Sequence, residues 1–242
     1  MEFLTSGLRW AHIIAGFGGL AAFWVPIFAR KGGANHVLFG RIFKYCAYVV
    51  TLGALLSVGL HMGMALSRGV TPSNASADFA FLVFLGYLAW VTFVGLRHGM
   101  AVLQHKRDLG EMNTWLNQAL AWLAILSSID IIAYALIFNP SNKILLYALS
   151  PIGFSTGYGI LKTIRGQRPE GKAWFYEHMG AMMGTGVAFH TAFAVFGSSG
   201  LFDLQLTGFA RVIPWLLPTL IGIPAIAIWT RHYKRRFGDL AT

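Results

Sequence analysis

The chain has 242 residues, 56% of them hydrophobic and only 12% charged, with a mean hydropathy of +0.59. Soluble domains carry about 25% charged residues, so half that share excludes an ordinary water-soluble globule and makes lipid the main solvent. The net charge of +10 does not mark a nucleic-acid binder, because the basic residues fall in short loops between apolar runs, and the lone Cys46 excludes an internal disulfide and any multi-cysteine metal site.

Segments apolar enough to cross a bilayer, which takes about 20 residues at a 1.5 Å rise, are expected at 7–29, 37–66, 78–104, 113–138, 143–163, 173–197 and 208–230. Met1 to Arg9 contains Glu2 and lacks a basic leader, and the apolar run after it is too long for the core of a cleavable signal. The first segment is therefore read as a span. It carries His12, with Gly16 one turn deeper on the same face, and ends at the turn Lys31-Gly32-Gly33.

The second span places Ser57 one turn below His61. A turn at Thr71-Pro72-Ser73-Asn74 leads to the third, which ends in Arg97-His98. The fourth holds Asp130, near Ser127, Ser128 and Tyr134, and closes at Asn139-Pro140-Ser141-Asn142. Pro151 marks the fifth span for a mild kink. After the turn Gly166-Gln167-Arg168-Pro169-Glu170-Gly171, the sixth opens on Glu177-His178 and sets Gly186 one turn below His190. Pro214, Pro218 and Pro224 crowd the seventh, which is expected to kink or unwind locally. The run Arg231 to Arg236 that follows reads as a topogenic and headgroup anchor.

Fifteen of the nineteen Lys and Arg residues lie on alternate connections, from Arg30 and Lys31 through to Arg235 and Arg236. Arg9, Arg68, Lys143 and Arg211 lie on the opposite side. This alternation fits seven spans and fails for six or eight. It predicts an all-α polytopic membrane protein, a single bundle of seven transmembrane helices with the N-terminus outside and the C-terminus cytoplasmic.

With that orientation, His12, His61, Asp130 and His190 fall into one outer layer, and His98 and His178 into a looser inner one with His36. Ionisable groups at membrane depth are costly and mark functional sites. Small residues under the imidazoles, Gly16, Ser57 and Gly186, leave room for a bound group, although helix packing accounts for them as well. His105 and His232 read as solvated loop residues, and Met179, Met182 and Met183 as packing.

Three chemistries follow. Paired imidazoles can hold haem b for electron transfer, with His12, His61 and His190 as outer ligand candidates, His98 and His178 as inner ones, and a quinone or another redox partner. The twelve residues between His178 and His190 rotate them about 120° apart, which suits two stacked haems poorly. A zinc or iron centre on His12, His61, His190 and Asp130 would support a membrane hydrolase, without any HExxH signature. A cofactor-free transporter, sensor or accessory subunit would use the same His and Asp residues as a proton relay. A homo-oligomer or membership of a larger membrane complex is compatible with each.

The stretch His12-Ile-Ile-Ala-Gly16-Phe through Ala29-Arg-Lys-Gly-Gly and His36-Val-Leu-Phe-Gly40-Arg41 resembles an uncharacterised bacterial family of predicted membrane proteins with a domain of unknown function. Its members read "H…G…" and then "KG…H…GR". Trp174-Phe-Tyr-Glu-His178-Met-Gly-Ala-Met with Thr191-Ala-Phe193, and Pro214-Trp-Leu-Leu-Pro218-Thr, resemble its later signatures. The resemblance covers about half the chain. It implies a cytoplasmic-membrane protein and marks His12, Gly16, His36, Gly40, Arg41, Trp174 and His178 as motif positions, but it implies no activity.

Overall fold

The computed structural model of the chain describes residues 2–166, 171–197, 210 and 212–239. Its elements are α1 (Glu2–Phe28), α2 (Ala34–Ser67), α3 (Ser76–Ala101), a 3₁₀ turn (Leu109–Met112), α4 (Trp115–Phe138), α5 (Lys143–Leu149), α6 (Pro151–Ile164), α7 (Ala173–Ala192) with a π turn (Phe193–Gly197), and α8 (Ile213–Phe237). No β-strand occurs among the described residues. Gln167 to Glu170 of the expected turn before the sixth span, and positions 208, 209 and 211 at the expected start of the last span, lie outside them.

Seven helical stretches are long and apolar enough to cross a membrane: Thr5–Phe28, Ala34–Ser67, Ala77–Ala101, Trp115–Phe138, Lys143–Ile164, Ala173–Gly197 and Ile213–Phe237. The number agrees with the expectation, while several boundaries move. The first helix starts earlier, at Glu2. The third stops at Ala101 rather than 104, because its tail tightens into i→i+3 bonds from Leu103, Gln104 and His105 to Met100, Ala101 and Val102.

The fifth span is two helices in series, broken at Ser150–Pro151. Proline has no N–H to offer the carbonyl four residues back. The Ser150 hydroxyl donates to that carbonyl, Tyr147 O, at 3.0 Å, and the Tyr87 hydroxyl donates to Leu149 O and Ser150 O at 3.0 Å each. The last span does not unwind: α8 continues through Pro218 and Pro224. Pro214 sits in its first turn, where a missing N–H costs nothing.

The chain divides into two compact units, Met1–Phe93 with Ile129–Ser150 and Val94–Ser128 with Pro151–Thr242. In the first, α1 and α2 form an antiparallel hairpin. Phe23 meets Phe43 at 5.3 Å between ring centroids, and Cβ atoms added at Gly18 and Gly40 would lie 3.6 Å from Cys46 Sγ and 4.0 Å from Pro26 Cγ. Numbers rise on one helix as they fall on the other. The hairpin turn is fastened from within. Lys31 Nζ donates to Pro26 O at 2.7 Å and Ile27 O at 2.8 Å, and His36 Nδ1 donates to Pro26 O at 3.3 Å. These bonds answer carbonyls that the end of α1 leaves open, and Gly32 turns the chain at φ +75°.

α2 and α3 also run antiparallel. Tyr48 packs on Phe93 at 6.1 Å, and a Cβ at Gly86 would lie 3.3 Å from Val58 Cγ1. The start of α3 is tied to the start of α5 by Asn142 Nδ2, which donates to Ala77 O at 3.3 Å.

In the second unit, glycines set the close approaches. A Cβ at Gly157 would collide with Ala121 O and Ile125, and one at Gly222 with Val187. Contact of backbone with backbone through small residues is the usual way helices associate in lipid, where no hydrophobic drive separates helix from solvent. Beyond α8, Asp239 folds back. Its Oδ2 accepts from Tyr176 Oη at 2.6 Å and from the Lys172 N–H at 3.4 Å, beside a ring cluster of Phe175, Tyr233 and Phe237.

Candidate functional site

A buried pair of ionisable side chains lies in the second unit, where the end of α3 crosses the beginning of α7. His98 Nε2 lies 3.4 Å from Glu177 Oε2, with side-chain exposures of 8% and 10%. One residue further along each helix, His178 Nδ1 donates to Gly99 O at 2.9 Å. Two polar links thus cross the same helix pair in register.

Glycine at 99 makes this possible. A Cβ there would sit 2.5 Å from Ala181 Cβ, so the helices touch and the imidazoles reach across without stretching. Because a carbonyl only accepts, His178 carries a proton on Nδ1. The neighbouring Arg97 donates to Asn117 Oδ1 at 2.6 Å, and Asn117 Nδ2 donates to Met112 O at 2.7 Å. The guanidinium is thereby fixed to the start of α4 and the turn before it.

A buried imidazole–carboxylate pair can be imidazolium with carboxylate, or imidazole with carboxylic acid, at the same net charge. Its protons belong to the pair. His98 is thus engaged by Glu177 and His178 by the Gly99 carbonyl, on two helices in close contact.

The expected outer layer takes a different form. In the first unit, His12 is half-buried and hydrogen-bonds to the backbone of Val50, while Gly16 beneath it faces open space. His61 is exposed, and its Nδ1 donates to Ser57 O at 2.7 Å on its own helix. Val50 and Ser57 are two turns apart on one face of α2, about 10 Å. The two histidines are therefore staggered along α2 rather than level.

Asp130 is exposed on α4. His190, in the second unit, is half-buried and donates from Nδ1 to Gly186 O at 2.7 Å. No group of three or more His, Cys, Asp or Glu side chains that could hold a metal ion occurs among the described residues.

Of the motif positions, His36 belongs to the α1–α2 turn, Gly40 faces Pro26, and Arg41 is exposed. Lys106 Nζ lies 4.7 Å above the Trp174 ring. Three features were not singled out as site residues from sequence: Glu177 as the partner of His98, Gly99 as the contact that seats it, and the Tyr176–Asp239 clasp. Glu177 did leave a signal, since it and Asp130 are the acids set well inside the expected spans.

Seven helices of this length and hydropathy define a multi-pass membrane protein. Comparison with protein-family models, with curated proteins and with solved structures finds no match.

Proposed function

We propose that this multi-pass membrane protein is a proton-handling transporter or sensor working through the α3–α7 crossing, in the cytoplasmic membrane with its C-terminus inside. One observation carries the reading: His98 and Glu177 form an ion-pairing contact at 3.4 Å, both about nine-tenths buried, inside helices apolar enough to span a bilayer. Such groups are costly in lipid, and proton relays are built from them. Exchange between two states of equal charge lets a proton pass without leaving a bare ion in hydrocarbon. His178, fixed by Gly99 O, and Arg97, fixed by Asn117, hold the surroundings rigid.

Proteoliposomes with a pH-sensitive dye inside, given an acid pulse outside, test this. Proton entry is expected to fall several-fold in His98→Gln and Glu177→Gln. It should be unchanged in His105→Gln, whose ring pairs with Glu111 outside the spans. Equal entry in all four proteins would overturn the reading.

A second reading is that His61 or His190 ligates haem b for electron transfer. It is supported by the Nδ1 bonds to Ser57 O and Gly186 O. These fix the tautomer whose Nε2 carries the lone pair, as a ligating imidazole requires. A Soret band that shifts on dithionite reduction and is lost in His61→Ala or His190→Ala would establish it. A colourless preparation from haem-replete cells would dismiss it.

A further inference from the structure

Asp130 and His61 are both exposed within membrane-spanning helices of the first unit. Among the described residues Asp130 has no hydrogen-bond or ion-pair partner, and the His61 ring bonds only to Ser57 of its own helix. A carboxylate facing hydrocarbon alone is among the costliest arrangements a membrane protein can hold. Something polar must cover it.

The helix register gives both residues the same depth. Val58 is level with Gly86, so His61, three residues on along the antiparallel α2, is level with about position 83 of α3. That is six residues, or about 9 Å, from Ala77. Ala77 is held to Asn142, just past the end of α4. Asp130 lies eight residues before the last residue of α4, or about 12 Å from the same level. The two groups are thus within about one turn of each other in height.

We infer that a second copy of this chain covers both residues, with His61 of one copy bonded to Asp130 of the other and the reciprocal pair formed by two-fold symmetry. An isologous interface needs a self-complementary patch, in which residue i meets j and j meets i. With Nδ1–H given to Ser57 O, Nε2 of His61 and the Asp130 carboxyl, at equal depth, share one proton between them and meet that requirement. Exposed apolar side chains of the same unit, Leu56 on α2 and Ile129 and Ile137 on α4, supply the apolar remainder. A lone carboxyl group needs a proton-sharing partner at its own depth, and this chain already carries one in His61 Nε2.

Single-molecule photobleaching of the full chain, carrying a C-terminal fluorophore, in vesicles of bacterial polar lipid extract reads the stoichiometry directly. The wild type is expected to show two-step bleaching. Asp130→Asn and His61→Ala should each weaken dimerisation by roughly tenfold, and the double variant should be no weaker than either single one, because they break the same bond. Asp130→Asn is isosteric, and an unchanged Tm in the monomeric state confirms that folding is intact. A wild-type monomer, a dimer indifferent to both substitutions, or additive losses would each overturn the inference. So would stoichiometric co-purification of a different membrane protein that Asp130→Asn releases.

Discussion

Gly99 of α3 lies so close to Ala181 of α7 that a methyl group at 99 would sit 2.5 Å from the alanine methyl. Neither backbone can yield without moving His98 and His178, which bond across the same crossing. Gly99→Ala is therefore expected to lower stability by about 1–3 kcal/mol through overpacking. Gly59→Ala, on α2 with open space around it, should raise it by about 0.5–1 kcal/mol through helix propensity. Thermal unfolding in detergent separates the two, and equal effects would contradict the contact.

Removing one member of the His98–Glu177 pair strands the other in a site about nine-tenths buried. Breaking such pairs costs about 3–5 kcal/mol when the remaining group stays charged. Glu177→Leu is expected near that range, and Glu177→Gln, which keeps an acceptor for His98 Nε2, well below it. A Glu177→Leu protein as stable as Glu177→Gln would show that the bond has no hold on the fold.

Lys31, in the turn between α1 and α2, is half-buried, and burial lowers its ammonium below the ordinary 10.5. The unfolded chain thus binds more protons than the folded one between the lowered value and 10.5, so stability rises with pH across that window. The burial cost is fully present below it and gone above it. The slope of unfolding free energy against alkaline pH is expected to be smaller in Lys31→Gln. An identical slope would remove Lys31 as its source.

Tyr176→Phe deletes the 2.6 Å bond to Asp239 and should release the segment after α8. Because the bond is exposed, the stability change is expected to stay under about 1 kcal/mol. Limited proteolysis after Phe237 should nevertheless accelerate, and an unchanged cleavage rate would mean that the ring cluster alone holds the segment.

The seven spans were legible because apolar length and alternating basic loops are local properties of the chain. The place of His61 and Asp130 near helix ends was legible for the same reason, since turn residues mark where α2 and α4 stop. The start of the first helix was not legible: α1 begins at Glu2, not at position 7, so ten of its residues precede His12 instead of five. The His98–Glu177 contact joins positions 79 apart in sequence, and no periodicity announces which distant helix a buried acid will meet. The Lys31 and His36 bonds to the end of α1 depend on side chains bending back over a turn, which composition does not encode. Only the glycines hinted at it.

Until α3 lies alongside, the joint at Ser150–Pro151 presents two carbonyls with no hydroxyl to answer them. The joint between α5 and α6 gains its second hydroxyl donor, beside that of Ser150, only when Tyr87 arrives. A phenol on the third span thus imposes an order of assembly on the fifth: first a partner, then dryness. In Tyr87→Phe, the fifth span should reach the lipid late and wet at its centre.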